Sequence, residues 1–120
     1  MRKHLLSWQL ENYPANHVDR RNLAIHLATV PLFLAGTVLL VLGPFVWLWA
    51  SAVGIAAMVL AMALQGRGHK GEQTAPAPFA GPGDVFLRIF AEQWITFPRF
   101  VLSGGFARAW RRASAAPRQA

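Results

Sequence analysis

Residues 22–66, NLAIHLATVPLFLAGTVLLVLGPFVWLWASAVGIAAMVLAMALQG, contain no Lys, Arg, Asp or Glu. An uncharged apolar run of this length exceeds what the core of a small soluble domain requires, and its natural solvent is a lipid bilayer. About 20 apolar residues, rising ~1.5 Å each in a helix, span a hydrocarbon layer of ~30 Å. Leu23 to Leu42 and Phe45 to Leu64 each supply that length, and Gly43-Pro44 divides them. Pro44 lacks an N–H and Gly43 tolerates positive φ, so this pair is the expected reversal between antiparallel helices over 22–42 and 44–65. The expected fold is all-α: an integral membrane protein, a transmembrane helical hairpin with amphipathic interfacial helices before and after it, forming one membrane domain over 1–120.

Composition agrees. The chain is 54% hydrophobic and 14% charged, against ~25% charged in soluble domains. Arg2, Lys3, Arg20 and Arg21 precede the first span, Arg67 and Lys70 follow the second, and the LGPF turn carries no charge. The positive-inside rule then places both termini in the cytoplasm, with the bacterial inner membrane as the expected location. The net charge of +7 reads as this topology signal plus attraction to anionic lipid. No nucleic-acid motif is present, and there is no soluble platform to display one, so nucleic acid is not an expected partner. With no cysteine, disulfides and thiolate metal sites are excluded, and any metal must be held by nitrogen or oxygen. The first apolar run starts too late and runs too long for a cleaved signal peptide, and NLAIH after Arg20-Arg21 lacks a twin-arginine continuation.

The flanks are amphipathic. LLSWQLENY (5–13) places Leu6, Leu10 and Tyr13 at helical spacing near Trp8, as in a short helix at headgroup level within an interfacial segment over 1–21. The Pro-rich stretch inside 66–83 reads as a surface linker. Residues 84–103 predict an interfacial or re-entrant helix with Asp84 as N-cap, Gly104-Gly105 as stop and Pro98 as a kink. Arg88, Glu92, Thr96, Arg99 and Ser103 form its polar stripe. Residues 104–120 read as a basic surface anchor, held by Trp110, that frays into a disordered tail.

Polar side chains inside a span are costly and usually mark a site or a pairing. If the chain folds at Gly43-Pro44, residues whose numbers sum to about 87 lie at equal depth. Asn22 is then level with Gln65, His26 is one turn deeper, and His69 is just outside. His17 and His69 come from flanks that the hairpin brings together, so three imidazoles converge at one interface. His4, beside Arg2 and Lys3, reads as a headgroup-facing residue. For His26 alone, a hydrogen-bonded interfacial histidine is the simpler reading.

His17, the Asn22-x-x-x-His26-x-x-x-x-Pro31 stretch and the Gln65-x-x-Gly68-His69 stretch resemble the membrane-embedded 2-hydroxy-fatty-acid dioxygenases, named for the metabolism of phytosphingosine to odd-numbered fatty acids. Where that family commonly carries an acidic residue four places after the last histidine, this chain has Gln73, with Glu72 one earlier, as in a compact, divergent member. The resemblance implies Fe(II), O₂ and a fatty-acid substrate in the membrane, with α-oxidation as the chemistry. His17, His26 and His69 would be the metal ligands. Asn22 and Gln65 would orient imidazoles or bind substrate, amides being able to donate and accept. Glu92 is the best remaining carboxylate, although pairing with Arg88 four residues earlier is its more ordinary role. Arg67 or Arg99 would hold the substrate carboxylate. The alternatives are a non-catalytic membrane scaffold or lipid-binding protein, and bis-imidazole haem ligation, which the position of His69 disfavours. Two spans bury little surface, so a homo-oligomer is expected, associating through Gly36, Gly54 and the Ala-rich second span.

Overall fold

The computed structural model describes residues 4–115, and among these every regular element is helical. Helix α1 (Leu5–Asn12) runs into a 3₁₀ turn (Tyr13–Asn16). Two long helices follow, α2 (Arg20–Val46) and α3 (Leu48–Lys70), both long and apolar enough to cross a membrane. After an irregular stretch, α4 (Pro82–Ala91) passes through a π turn (Glu92–Thr96) into α5 (Phe97–Leu102), and α6 (Gly105–Ala115) closes the described chain.

Asp19 starts α2 by accepting the Arg21 N–H at 3.0 Å, satisfying one of the amides a helix leaves open at its start. The helix does not end at Gly43-Pro44. It continues to Val46, and the reversal is made by Trp47 alone, extended at φ −163° and ψ 115°. Pro44 has no N–H for the Leu40 carbonyl, and the Ser51 hydroxyl of α3 fills that role at 3.0 Å. Gly43 makes this approach possible, since a Cβ there would lie 2.6 Å from the Ser51 amide nitrogen.

Moving the reversal to Trp47 shifts the register by about one turn from the one expected. Asn22 lies against Gly68 rather than Gln65, Thr29 bonds Gln65, and Gly36 faces Gly54. The expected equal-depth pairing of Asn22 with Gln65 is therefore corrected, and His69 joins the level of His26 instead of lying outside it. Gly36 and Gly54 are spent within the chain: a Cβ on Gly36 would sit 2.7 Å from the Gly54 carbonyl.

The third helical region also differs from expectation. It starts at Pro82, with Asp84 in its first turn accepting the Ala80 N–H at 2.9 Å. Around Pro98 the helix changes form. The proline's missing N–H removes one ladder bond and its ring crowds the preceding turn, and the backbone there is widened so that the Phe97 N–H bonds the Glu92 carbonyl five residues back. The first part of the polar stripe turns inward, Arg88 and Thr96 being buried together with Gln93, while Arg99 and Ser103 are exposed; Gln9 donates to the Arg88 carbonyl at 2.9 Å and Thr96 donates to Gln9. Phe86, Leu87, Trp94, Ile95 and Leu102 face outward instead. Residues 105–115 are helical rather than a frayed tail. Ala109 is buried, and the Arg20 guanidinium lies 4.3 Å over the Trp110 ring. The end of the expected tail, 116–120, lies outside the described residues.

Candidate metal centre

The register shift gathers four side chains from four parts of the chain. His17 follows the 3₁₀ turn, His26 stands in the second turn of α2, His69 in the last turn of α3 and Glu92 opens the π turn. One potential ligand atom from each lies within 4.8 Å of the others, close enough to hold a metal ion. The three imidazole rings stand mutually edge to face, with centroids 4.7, 4.8 and 4.9 Å apart and planes at 85°, 82° and 87°. Three rings in van der Waals contact, none stacked on another, leave their nitrogens free to converge.

Those nitrogens are not otherwise used. His17 Nδ1 lies 2.7 Å from the Tyr13 carbonyl and His26 Nδ1 lies 3.0 Å from the Asn22 carbonyl. A carbonyl only accepts, so each Nδ1 carries the hydrogen and each Nε2 presents a lone pair inward. His17 Nε2, His26 Nε2 and His69 Nδ1 are buried without a partner. The Glu92 Oε1 lies 3.5 Å from His26 Nε2 and 3.8 Å from His17 Nε2. Lone pairs facing a carboxylate at such distances repel unless a positive charge stands between them. A metal ion, or a proton on an imidazole, answers that need.

The surroundings fix this geometry. Tyr13 stacks on His17 with centroids 3.7 Å apart and donates its hydroxyl to Glu92 at 2.9 Å. Glu72, just beyond α3, accepts from the Val18 and Asp19 amides and from the Asn22 side chain at 3.1, 2.9 and 3.0 Å. It thereby ties the end of α3 to the segment carrying His17. Gln65 and Gln93 exchange two hydrogen bonds, at 2.9 and 2.8 Å, which join α3 to the π turn. Burial, reinforced by competition for a proton with the neighbouring His26 imidazole, brings His17 down to about 3, so its imidazole stays neutral. Burial pushes the Glu92 carboxyl up, but the facing imidazoles of His26 and His17, which favour the carboxylate whenever either takes a proton, and the Tyr13 hydroxyl outweigh it, leaving it below the usual carboxylate value.

Of the residues singled out in the sequence, His17, His26, His69 and Glu92 come together, and Glu92 does not pair with Arg88. Arg88 pairs with Asp84, at 3.5 Å, instead. Asn22 acts on the cluster through its carbonyl, while the hydrogen bonds of Gln65 go to Thr29 and Gln93. Arg67 and Arg99 are exposed and line no part of the adjoining cavity, and His4 is also exposed and apart. Sequence reasoning missed Tyr13, Glu72 and Gln93. For Gln93 a signal existed, a second amide in an apolar helix. Tyr13 lies 79 residues from Glu92, and nothing local announces that contact. A cavity of about 240 Å³ adjoins the cluster, bounded by α1, residues 74–77 and α4, with His17, His69 and Glu92 in its wall.

Comparison of the chain with protein-family models, with characterised proteins and with solved structures gives no match.

Proposed function

We propose that this chain is a membrane-embedded, Fe(II)-dependent dioxygenase that shortens 2-hydroxy fatty acids by one carbon. The observation that carries the reading is the convergence of three unpartnered imidazole nitrogens and the Glu92 carboxylate within 4.8 Å. Neutral imidazole and carboxylate suit Fe(II), and the resemblance of the Asn22–Pro31 and Gln65–His69 stretches to that dioxygenase family supplies the substrate. The membrane is supported by the outward apolar faces of α2, α3 and α4, including Phe45 at 83% and Leu102 at 87% exposure, more than a water-facing monomer displays. Both termini lie on the cytoplasmic side in this reading, and the cluster lies near that interface, where a fatty acid presents its carboxylate and hydroxyl.

His17, His26, His69 and Glu92 would hold the iron, which supplies O₂ activation and open positions for substrate. The Tyr13 and Asn22 carbonyls keep His17 and His26 in the tautomer whose Nε2 can ligate. The Tyr13 hydroxyl, on Glu92, holds a proton beside the reacting groups. The overall reaction balances without a separate reductant: R–CH(OH)–COOH and O₂ give R–COOH, CO₂ and H₂O.

One observation favours a second reading. The 3.5 Å separation of His26 from Glu92 also suits an imidazolium–carboxylate bridge that closes the hairpin of a scaffold protein. Purified protein, reconstituted anaerobically with Fe(II) and then given O₂ and 2-hydroxypalmitate, separates the two. The dioxygenase yields one iron per chain and pentadecanoic acid by mass spectrometry. A protein that binds no metal is the scaffold, a Soret band indicates haem, and iron without turnover of any 2-hydroxy acid rejects the substrate alone.

A further inference from the structure

Arg88 is the one buried arginine among the described residues, at 7% exposure. A buried guanidinium is costly unless its charge and its five N–H groups find partners. Here the partners are incomplete. NH1 donates to the Pro78 carbonyl at 3.0 Å, NH2 donates to the Ala77 carbonyl at 2.8 Å, and the carboxylate of Asp84 stands no closer than 3.5 Å. Nε is buried with no acceptor at all. The two flat faces are occupied, by Phe79 at 4.3 Å and Trp8 at 5.2 Å, which leaves the planar edge as the side from which a ligand can be taken. That edge is the part of an arginine that matches a carboxylate.

Arg88 also stands in the wall of the cavity that reaches His17, His69 and Glu92. Asn16 lines the same cavity, with its side-chain oxygen buried and unpartnered. One space thus holds an unsatisfied cationic donor, an unsatisfied amide and the metal-ligand cluster. At about 240 Å³ it is smaller than the ~300–1,000 Å³ that encloses a whole drug-sized ligand, so it suits a polar head group and a few carbons, with a longer tail left outside.

We propose that Arg88 is the anion-recognising residue of this cavity, receiving on its free edge a carboxylate whose adjacent hydroxyl faces the His17–His26–His69–Glu92 cluster and Asn16. The proposal rests on reading that cluster as a metal centre, and it moves the substrate carboxylate from the exposed Arg67 and Arg99 to a buried site. It makes the site selective for 2-hydroxy acids over the corresponding neutral 1,2-diols, because only the acid brings a negative charge closer to the guanidinium than the 3.5 Å at which Asp84 stands.

The test uses the full chain in detergent, loaded anaerobically with Co(II) as a spectroscopic probe, and compares 2-hydroxyhexanoate with hexane-1,2-diol by titration of the cobalt absorption. Wild type should prefer the acid. Arg88→Gln should keep its cobalt and lose ~10- to 100-fold in acid affinity with the diol unchanged, the range for a charge-assisted hydrogen bond. Arg88 also holds the 77–78 carbonyls, so Asp84→Asn serves as a variant that keeps the guanidinium in place. Weakening the competing ion pair should tighten acid binding ~2- to 5-fold. An acid preference retained in Arg88→Gln, no preference in cobalt-loaded wild type, or looser acid binding in Asp84→Asn overturns the assignment while leaving the metal centre intact. If wild type takes up no cobalt, the metal reading fails by itself, and calorimetric titration of the metal-free protein decides Arg88: acid binding that Arg88→Gln abolishes retains it, and its absence overturns it.

Discussion

The two ends of the α2–α3 pair are built from opposite chemistry on the same two helices. Around Trp47 the contacts are those of small residues, Gly43 against Ser51 and Gly36 against Gly54, while Phe45, Val46, Trp47, Leu48 and Trp49 point outward. Around His26 the interior takes in polar side chains, with Asn22, His26, Thr29 and Gln65 buried beside Leu23 and Val30. In water such an arrangement would be inverted, with its costly groups inside and its favourable ones outside. In a bilayer the apolar end needs only close backbone packing, because lipid solvates its side chains. The polar end needs every donor and acceptor matched. Most are matched there, and three imidazole nitrogens that converge on one point, left over together with the side-chain oxygens of Asn16 and Asn22, are the informative exception.

The largest expected effect lies in the polar end. Replacing His17, His26 or His69 by Ala removes one donor from a shared centre, and each should lose well over 100-fold in metal affinity, beyond the ~10- to 100-fold typical of outer-shell losses. His4→Ala should lose none. Full metal retention in His26→Ala, read by elemental analysis, would dissolve the shared site and with it the contrast between the two ends.

Next comes the apolar end. Val59 lies near the middle of α3 at 64% exposure. Val59→Lys should cost ~2.5–3.5 kcal/mol of insertion if this face meets hydrocarbon, against no more than ~0.5 kcal/mol on a water-facing surface. A glycosylation-based insertion assay reads the difference. Unchanged insertion together with improved solubility would mean that α3 faces water.

How far this contrast was legible in the sequence differs between its halves. The apolar end was plain in the uncharged run, because hydrophobic length is additive and local. Breaker chemistry alone puts the reversal three residues early, at Gly43-Pro44, because the Ser51 hydroxyl that satisfies the Leu40 carbonyl comes from across the interface. At the polar end the three histidines could be nominated from spacing and resemblance. Glu92 could be named only as a candidate, because its approach depends on the π turn upstream of Pro98. The partner of Arg88 is hidden for a related reason. Helical spacing offers both Asp84 and Glu92 as partners four residues away, and only the tertiary pull of Tyr13 and His26 on Glu92 decides between them. Tyr13 and Glu72 act over long separations that no local pattern records.

A smaller effect sharpens the boundary between ligands and support. Gln65 bonds Thr29 and Gln93, and its two hydrogen bonds with Gln93 join α3 to the turn carrying Glu92. Gln65→Ala leaves Gln93 buried and unpaired, which should cost ~1–3 kcal/mol of stability. Metal affinity should fall only ~10- to 100-fold, as for groups that hold ligands rather than serve as them. Gln65→Glu, which keeps one acceptor for the Gln93 amide, should recover part of the stability. A Gln65→Ala variant that lost metal as completely as His26→Ala would place Gln65 among the ligands themselves.

The smallest effect per step is a dependence on pH confined to the polar end, since the run from Leu27 to Leu64 contains nothing that titrates. In the metal-free protein the His17 imidazole is brought down to about 3, chiefly by burial, whereas in the unfolded chain it titrates near ~6.5. A folded value below the unfolded one means that the unfolded state binds the proton more readily. Stability from this group is complete above ~6.5 and is lost as pH falls toward 3, by no more than ~1.4 kcal/mol per pH unit. Unfolding midpoints of metal-free protein in detergent, measured between pH 7.5 and 4.5, should therefore fall with acidity. His17→Gln should flatten the dependence and His4→Ala should leave it alone. A midpoint that rose on acidification would mean that His17 is charged in the folded state, which would make the His17–Glu92 contact an ion pair instead of two ligands awaiting a cation.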